Sequence, residues 1–422
     1  MKYRAVKGMN DILPEEAERF ALVERTFRAT VERLGFRELR TPIVEELGLF
    51  HKSTGETSEV VQKQMFLLDR EREKLALRPE GTPSAARVYI GQSQWAKEPI
   101  TKWYYIGPMF RAEQPQRGRY RQFHQAGCEL YGDPGPLADA EMMHMLYRMT
   151  VELGLVGTTL ELNSLGGSEA RVEYRQRLKA FFSAKLETLS PHAIERLEDN
   201  PLRILDSKDP RDIAASEGAP ILLDCLSEED KTHFGEVCAA LDELGTPYRV
   251  NPRLVRGLDY YTRTCFEISA QTGEIGSQNA ILGGGRYDNM IAALGGENVP
   301  AIGFAMGLER ILLAMPEAKT QSSSLCFFAP LGARAGRAAL KLADQLRTQG
   351  LTVEVDGRDT SLKAKLRRAN SLAAHVAVVL GETELDAGQA QLKLLAEHAQ
   401  KDVPLSELVE TVVRAFEGVR TP

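Results

Sequence analysis

Residues 104–131 read YYIGPMFRAEQPQRGRYRQFHQAGCELY, and their pattern predicts two strands joined by a charged loop. The first strand is expected over Trp103–Arg111, which is rich in aromatic and apolar residues. The loop, near Glu113–Arg119, holds Pro115 and Gly118, residues that suit a turn and not a ladder. The second strand runs from about Tyr120 to Tyr131. Side chains alternate across a strand, so Arg121, Phe123, Gln125, Gly127, Glu129 and Tyr131 share one face. That face offers a flat aromatic, an amide, a gap and a carboxylate. The other face carries Gln122, His124, Ala126, Cys128 and Leu130. Arg111, Arg117, Arg119 and Arg121 crowd this single hairpin, and their repulsion has a purpose if polyanionic phosphate sits among them. A solvated hairpin whose arginines pair with distant carboxylates is the plainer alternative. The density of arginine, with Phe123 and a carboxylate on one face, favours a nucleotide site.

The totals bound the class of protein. The chain has 422 residues, 43% hydrophobic and 27% charged, enough for two or three globular domains. A net charge of −6 does not advertise nucleic acid, so any such surface would be a local basic patch. Five cysteines, Cys128, Cys225, Cys238, Cys265 and Cys326, contain no CxxC. They fit neither a zinc site nor a disulfide framework and suit a reducing cytosol. The N-terminal MKYRAVKGMNDILPEE has no apolar core, and no run approaches the roughly 20 apolar residues of a membrane span. The expectation is a cytoplasmic chain with no membrane segment.

FRAEQPQRGRYRQFHQ (110–125) resembles motif 2 of class II aminoacyl-tRNA synthetases, in the form typical of histidyl-tRNA synthetases. Upstream, Phe20, Val23, Phe27, Val31 and Leu34 recur at spacings of three and four, which predicts an amphipathic helix from Pro14 to Gly35. FRELRTPIVEELGLF (36–50) reads as a strand broken by Pro42, placed at an edge or interface. In class II synthetases such a helix, strand and proline form motif 1, so the resemblance implies a homodimer. LALR (75–78) reads as a short strand. PEGT is a turn and a helix begins near Pro83, with Thr82 as its cap and Glu80 just outside, where a ligand ammonium could meet it. RPEGT matches the histidyl-synthetase loop that holds the amino acid by its amino group.

Downstream, residues 139–155 read as an amphipathic helix and TTLELNSLGG as a strand. Residues 168–250 read as mostly helical, with breaks at Pro191, Pro201, Pro210 and Pro220. Thr262, Thr264, Phe266 and Ile268 alternate as a strand fed by the turn RGLDYY. Three glycines in AILGGGRYDNM (280–290) are expected between a strand and a helix, where backbone comes close to a ligand. RGLDYYT and GGGRYD resemble the two signatures of histidyl synthetases, and Arg310 in AIGFAMGLERILLAM (301–315) resembles the motif 3 arginine. Beyond the polar stretch TQSSS, strands alternate with helices, which implies a small α/β sheet. Lys363, Lys365, Arg367 and Arg368 give one of its helices a basic stripe, ordinarily a solvated face. The region resembles the anticodon-binding domain of class II synthetases.

The fold class expected is α/β: an α+β catalytic region with a mainly antiparallel sheet over residues 1–319, and a helical insertion at about 168–250. A linker at 320–324 and a C-terminal α/β anticodon-binding region over 325–422 follow. The resemblance implies histidine–tRNA ligase activity with ATP, L-histidine and tRNA(His) as partners. Mg²⁺ is expected on ATP, with no protein ligands assigned. Arg111 and Arg256 are the implied catalytic groups at the α-phosphate. Glu113, Arg119, Phe123 and Arg310 are the further ATP contacts. Glu80, Gly81, Thr82, Gln125, Glu129, Tyr260 and Tyr261 are the implied histidine contacts. Gln114 and Gln116 would approach the tRNA acceptor end, and Lys363, Lys365, Arg367 and Arg368 the anticodon end. Gln114 stands where bacterial relatives usually carry Arg. A regulatory relative that binds histidine without ligating it generally lacks the C-terminal region and the arginine of RGLDYY, both present here.

Overall fold

The structure, a computed structural model, describes residues 3–54, 59–70, 73–205, 207, 209–254, 260–271, 279–316 and 323–417. The chain divides into two compact units, Met1–Pro316 and Glu317–Pro422.

In the first unit, α1 (Pro14–Arg33) starts at a proline and buries Phe20, Val23, Phe27 and Val31, one face of a helix. Phe27 is fully buried, and truncating such a ring costs about 3–5 kcal/mol. β1 (Arg37–Glu38) and β2 (Val44–Glu46) are short, and α2 (Leu47–Thr54) follows at once. The single broken strand expected over 36–50 is therefore corrected, because its last residues are helical. Phe50, Ser53 and Thr54 bury at helical spacing there, and that packing overrides the strand-like composition. α3 (Glu59–Lys63), β3 (Leu67–Arg70) and β4 (Glu73–Leu77) come next, and β2, β4 and β3 form a small antiparallel sheet. After α4 (Thr82–Gly91) comes the hairpin of β5 (Thr101–Phe110) and β6 (Gln122–Tyr131).

α5 (Pro136–Glu152) and β7 (Thr158–Ser164) lead into the helices α6 (Ser168–Ser183), α7 (Pro191–Asp199), α8 (Leu202–Leu205), α9 (Pro210–Ala215) and α10 (Glu228–Glu243). α6 to α9 build a cluster of their own around Tyr174, Leu178, Phe182 and Leu197, which also takes in Tyr261, whereas α10 buries Val237 and Leu241 in the main core with α5. The unit closes with β8 (Arg249–Val250), β9 (Thr262–Ala270), β10 (Ala280–Arg286), α11 (Met290–Ala293), β11 (Ala301–Gly307) and α12 (Leu308–Ala314). The three glycines of GGGRYD lie inside β10, not between strand and helix. Gly283, Gly284 and Gly285 pair with β11 on one side and β9 on the other, so a ladder on both edges holds them extended.

The main sheet has eight strands in the order β1-β5-β6-β11-β10-β9-β7-β8. Only the edge pairs β1/β5 and β7/β8 are parallel, so the sheet is mainly antiparallel, as expected. Ala126, Cys128 and Leu130 of β6 face a core shared with α1, α5 and α12. The alternate residues of β6 face the other way, towards α4 and the cavity described below.

In the second unit, β12 (Ser323–Pro330), α13 (Ala333–Thr348), β13 (Thr352–Val355), α14 (Leu362–Ser371) and β14 (Ala374–Leu380) alternate. α15 (Glu382–Asp386), β15 (Gln389–Leu394), β16 (Ala399–Pro404) and α16 (Leu408–Ala415) follow. The five strands run in the order β13-β12-β14-β15-β16. α13 and α16 cover one face of this sheet and α14 the other. α15 and β16 carry too few apolar residues to stand out in the sequence.

Candidate active site

The β5–β6 hairpin closes as its turn residues dictate. Arg111 N–H donates to the Arg121 carbonyl at 2.9 Å, and Gln116 and Arg119 exchange backbone hydrogen bonds of 3.0 and 2.9 Å around Gly118. The loop folds back over the sheet, beside a cavity of about 620 Å³. Arg111, Arg119 and Arg310 all line it, with Phe123 and Glu113 among them. Each arginine is held. Arg111 donates through Nε to the Pro79 carbonyl at 3.0 Å, with its guanidinium 5.2 Å from the Phe123 ring centre. Arg119 lies 3.4 Å from Glu113. Arg310 donates to the Gly118 carbonyl at 3.2 Å and to the Ala280 carbonyl. Burial, with the nearby charges of Arg119 and Arg111, lowers the Arg310 pKa from its ordinary value. Three guanidiniums converge on one part of the cavity, interleaved with the carboxylates of Glu113 and Glu267, and offer a polyanion several charged donors. Glu309 lines the same wall but is committed: it accepts from the His124 backbone N–H at 2.9 Å and meets the His124 ring nitrogen at 2.9 Å.

Next to this cluster the cavity turns acidic and aromatic. Glu80 is buried, accepting from Thr54 and from the Tyr260 hydroxyl, each at 3.2 Å. Burial raises its carboxyl pKa, against the opposing pull of Arg111 and these two donors. Thr82, Gln125, Tyr260, Tyr261 and Tyr287 complete the wall. Behind them Glu129, with no exposure at all, accepts from Thr82 at 2.7 Å, from Tyr105 at 3.1 Å and from Tyr287. Desolvation outweighs these donors and pushes Glu129 up to about 8. Two glycines make room for the arrangement. A Cβ on Gly127 would strike the Tyr105 hydroxyl and the Phe304 carbonyl, and one on Gly303 would strike the Glu129 carboxylate. The gap at position 127 in the sequence is thus filled by Tyr105 from the paired strand.

The arrangement joins a polyanion site to a small pocket with a buried carboxylate and three phenols. Comparison with known proteins gives that pairing a family. The "Histidyl-tRNA synthetase" family pattern matches residues 8–311, and the "Anticodon binding domain" pattern matches residues 326–415. The chain belongs to the histidyl-tRNA synthetase family. It is 51% identical to the histidine–tRNA ligase of Sorangium cellulosum over 99% of this chain and 98% of that protein. It is 43% identical to the corresponding ligase of Trichlorobacter lovleyi, over 99% of each chain. The crystal structure of apo S. aureus histidyl-tRNA synthetase is similar, with a TM-score of 0.81 at 32% identity, covering 97% of this chain and 99% of that one.

Against this histidyl-tRNA synthetase frame, the expected site residues separate. The cavity brings together Glu80, Thr82, Arg111, Glu113, Arg119, Phe123, Gln125, Tyr260, Tyr261 and Arg310. Gly81 is the cap residue of α4. Thr82 does not cap that helix, a correction: its hydroxyl is engaged by Glu129 instead. Glu129 is one layer behind the cavity, not on its surface. Arg256 lies outside the described residues. Gln114 and Gln116 are exposed on the hairpin loop and do not line the cavity. In the second unit, Lys363 and Arg367 are exposed, and Arg368 pairs with Glu354 at 2.6 Å. Lys365 leaves the expected basic stripe. It is buried, donating to the Pro330 carbonyl at 2.6 Å and the Asp356 carbonyl at 2.7 Å, so its charge ties α14 to the sheet. Tyr105 and Tyr287 went unread. Tyr287 stands within GGGRYD, and Tyr105 stands opposite the gap at Gly127, so both signals are visible once the register is known.

Proposed function

We propose that the chain is a histidine–tRNA ligase that works in two steps in this one cavity. The observation that carries the reading is the junction of Arg111, Arg119 and Arg310 with the Glu80–Tyr260 pocket. In the first step the histidine carboxylate attacks the α-phosphorus of ATP. The bond to the β-phosphate oxygen breaks, giving histidyl-adenylate and pyrophosphate. In the second, the terminal ribose hydroxyl of tRNA(His) attacks the histidyl carbonyl and AMP leaves.

Such chemistry needs positioning and charge neutralisation more than a covalent nucleophile. Arg111, oriented by Pro79 and standing between the two halves of the cavity, grips the α-phosphate, with Arg256 opposite. Loss of one such donor raises the barrier by about 3–4 kcal/mol. Phe123 stacks on adenine, and Arg119, Glu113 and Arg310 hold the rest of the nucleotide. Mg²⁺ accompanies the triphosphate. Glu113 and Glu267 line the cavity and are oxygen donors suited to it. Glu80 receives the α-ammonium near Gly81 and Thr82, while Gln125, Tyr260 and Tyr261 line the side-chain pocket. Glu129 acts from behind through hydroxyls.

The catalytic region spans residues 1–319 with its helical insertion at about 168–250, and residues 325–422 read the anticodon after the linker at 320–324. Gln114 and Gln116 approach the acceptor end; Lys363, Arg367 and Arg368 contact the anticodon end. The protein works in the cytoplasm as a homodimer built on the α1–Pro42 segment. Among the described residues no helix is long and apolar enough to cross a membrane.

Pyrophosphate exchange into ATP, run without tRNA on each of the twenty amino acids, tests the proposal. Exchange with histidine alone is expected. Exchange with none, from protein that still binds histidine, would replace the ligase with a histidine sensor.

A further inference from the structure

A buried ionic cluster stands behind the amino-acid pocket and takes no part in the steps above. Arg286 and Asp139 expose no side-chain surface. Arg286 Nε donates to Asp139 Oδ2 at 3.0 Å, and Nη2 lies 2.6 Å from Asp139 Oδ1. Nη2 also donates to the Gly135 carbonyl at 2.6 Å, and Nη1 to the Asp133 carbonyl at 2.9 Å. Nη1 reaches Asp288 at 3.5 Å as well. The whole guanidinium fork is thereby engaged. His233, on α10, shares Asp139 Oδ2 at 2.9 Å.

A buried pair of this kind adds little stability over an apolar replacement, so its placement matters more than its strength. Arg286 and Tyr287 leave the end of β10 in opposite directions. Arg286 points to the start of α5 and to α10. Tyr287 points to the cavity, where its hydroxyl donates to Glu129. Regular pairing fails at this point: Gly285 pairs with Cys265, but Arg286 pairs with Thr262. Arg263, in the segment looped out between them, sits at φ 41°, a conformation that costs a non-glycine residue energy and needs support from its surroundings. Arg263 is itself tied to α10, donating to Asp230 at 2.9 Å. The ladder to β9 is therefore irregular just where Tyr287 has to be placed, leaving β11 alone to pair regularly there, through Arg286 opposite Ile302 and the Tyr287 N–H donating to the Ala301 carbonyl at 2.8 Å. α10 supports the β9 side through Asp230 and His233.

We infer that Arg286, clamped by Asp139 and His233, is a positioning residue for amino-acid recognition. It sets where Tyr287 presents its hydroxyl to the ligand side chain. The inference rests on the reading of this pocket as the histidine site. The Tyr287 hydroxyl, hydrogen-bonded to Glu129, is held at the pocket wall by that contact and by its backbone. A shift of about 1 Å in such a group costs up to about 100-fold.

The test is pyrophosphate exchange with active sites titrated, comparing wild type with Arg286→Lys, Asp139→Asn, His233→Gln, Tyr287→Phe and the Asp139→Asn/Tyr287→Phe double variant. Arg286→Lys and Asp139→Asn are expected to raise the histidine KM about tenfold and leave the ATP KM unchanged. The double variant should be no worse than Tyr287→Phe alone, because Asp139 acts through Tyr287. His233→Gln keeps an N–H donor and should stay near wild type, while His233→Ala should not. If Asp139→Asn and Arg286→Lys do not fold, the contrast between His233→Gln and His233→Ala carries the same test. Variants that lose active sites or melting temperature while keeping the histidine KM would overturn the inference, as would additive effects in the double variant. Absence of histidine exchange in wild type would remove the underlying reading and the clamp with it. Histidine exchange in wild type, with folded variants of unchanged KM, would remove the clamp alone.

Discussion

The hydroxyl of Thr82 donates to the fully buried carboxyl of Glu129 at 2.7 Å. Tyr105 and Tyr287 donate to the same group, yet burial still pushes it up to about 8. In the unfolded chain this carboxyl titrates near its ordinary 4.5. Between those two values the folded protein holds a proton that the unfolded chain has released. Stability therefore falls as pH rises through that window. Glu80 is shifted in the same direction and adds to the slope. The melting temperature of wild type is expected to drop more steeply between about pH 5 and 8 than that of Glu129→Gln. Parallel melting curves for the two proteins would contradict this.

Glu80 faces the cavity, whereas Glu129 does not. Removing the Glu80 charge takes away a charge-assisted contact to the ammonium, worth about 1.5–3 kcal/mol. Glu80→Gln is therefore expected to raise the histidine KM roughly 10–100-fold with little change for ATP. Glu129→Gln should also weaken histidine use far more than ATP use, because its effect passes through Thr82 and Tyr287. Titrations of exchange rate against each substrate separate the two parameters. Unchanged histidine saturation in either variant would exclude that acid from recognition.

Arg111 and Arg310 should fail differently. Arg111 stands beside Phe123 and Pro79 at the junction of the two halves of the cavity, so Arg111→Ala is expected to lower kcat about 100–1000-fold. Arg310, pinned to Gly118 and Ala280, lies at the loop side, and Arg310→Ala should act mainly on the ATP KM. Stopped-flow measurement of adenylate formation under single-turnover conditions distinguishes a slow step from weak binding. Equal effects of both variants on both parameters would contradict the assignment.

Lys365 and its neighbours on α14 should also divide. Lys365→Ala strips two buried carbonyls of their donor, and each unsatisfied group costs about 1–3 kcal/mol. The variant should melt earlier. Lys363→Ala and Arg367→Ala, at exposed positions, should leave melting unchanged and weaken tRNA binding in a salt-dependent way. Filter binding at two ionic strengths together with calorimetry reads both. A Lys365→Ala protein of normal stability and weakened tRNA binding would reverse the roles.

The hairpin was legible because strand alternation is a two-residue rule: Phe123, Gln125 and Glu129 turned to one side, and Ala126 and Cys128 to the other. The helix at Phe20–Val31 was legible for the same kind of reason. Residues 47–54 were not, since an eight-residue helix that follows a three-residue strand at once offers barely two turns of pattern. Lys365 misled because a buried amine and a solvated one look alike in a basic run, and only the fold reveals the carbonyls beneath it. Tyr287 and Glu129 lie far apart in sequence, so nothing local announces their hydrogen bond. Arg286 and Asp139 were silent on the same account, although the string containing Arg286 was already singled out.

Gly127 and Gly303 carry a further consequence. The floor of the pocket owes its shape to atoms that are missing, and the space they leave is already occupied by Tyr105 and Glu129. Widening the site for a bulkier amino acid by trimming its floor is closed as a route, because those two positions have no side chain left to shorten. A change of substrate would have to begin with the residues that fill the holes, and shrinking Tyr105 would strip Glu129 of a donor at the same stroke. Substrate choice is in this way welded to the hydrogen bonds of one buried acid, which makes the pocket resistant to gradual drift.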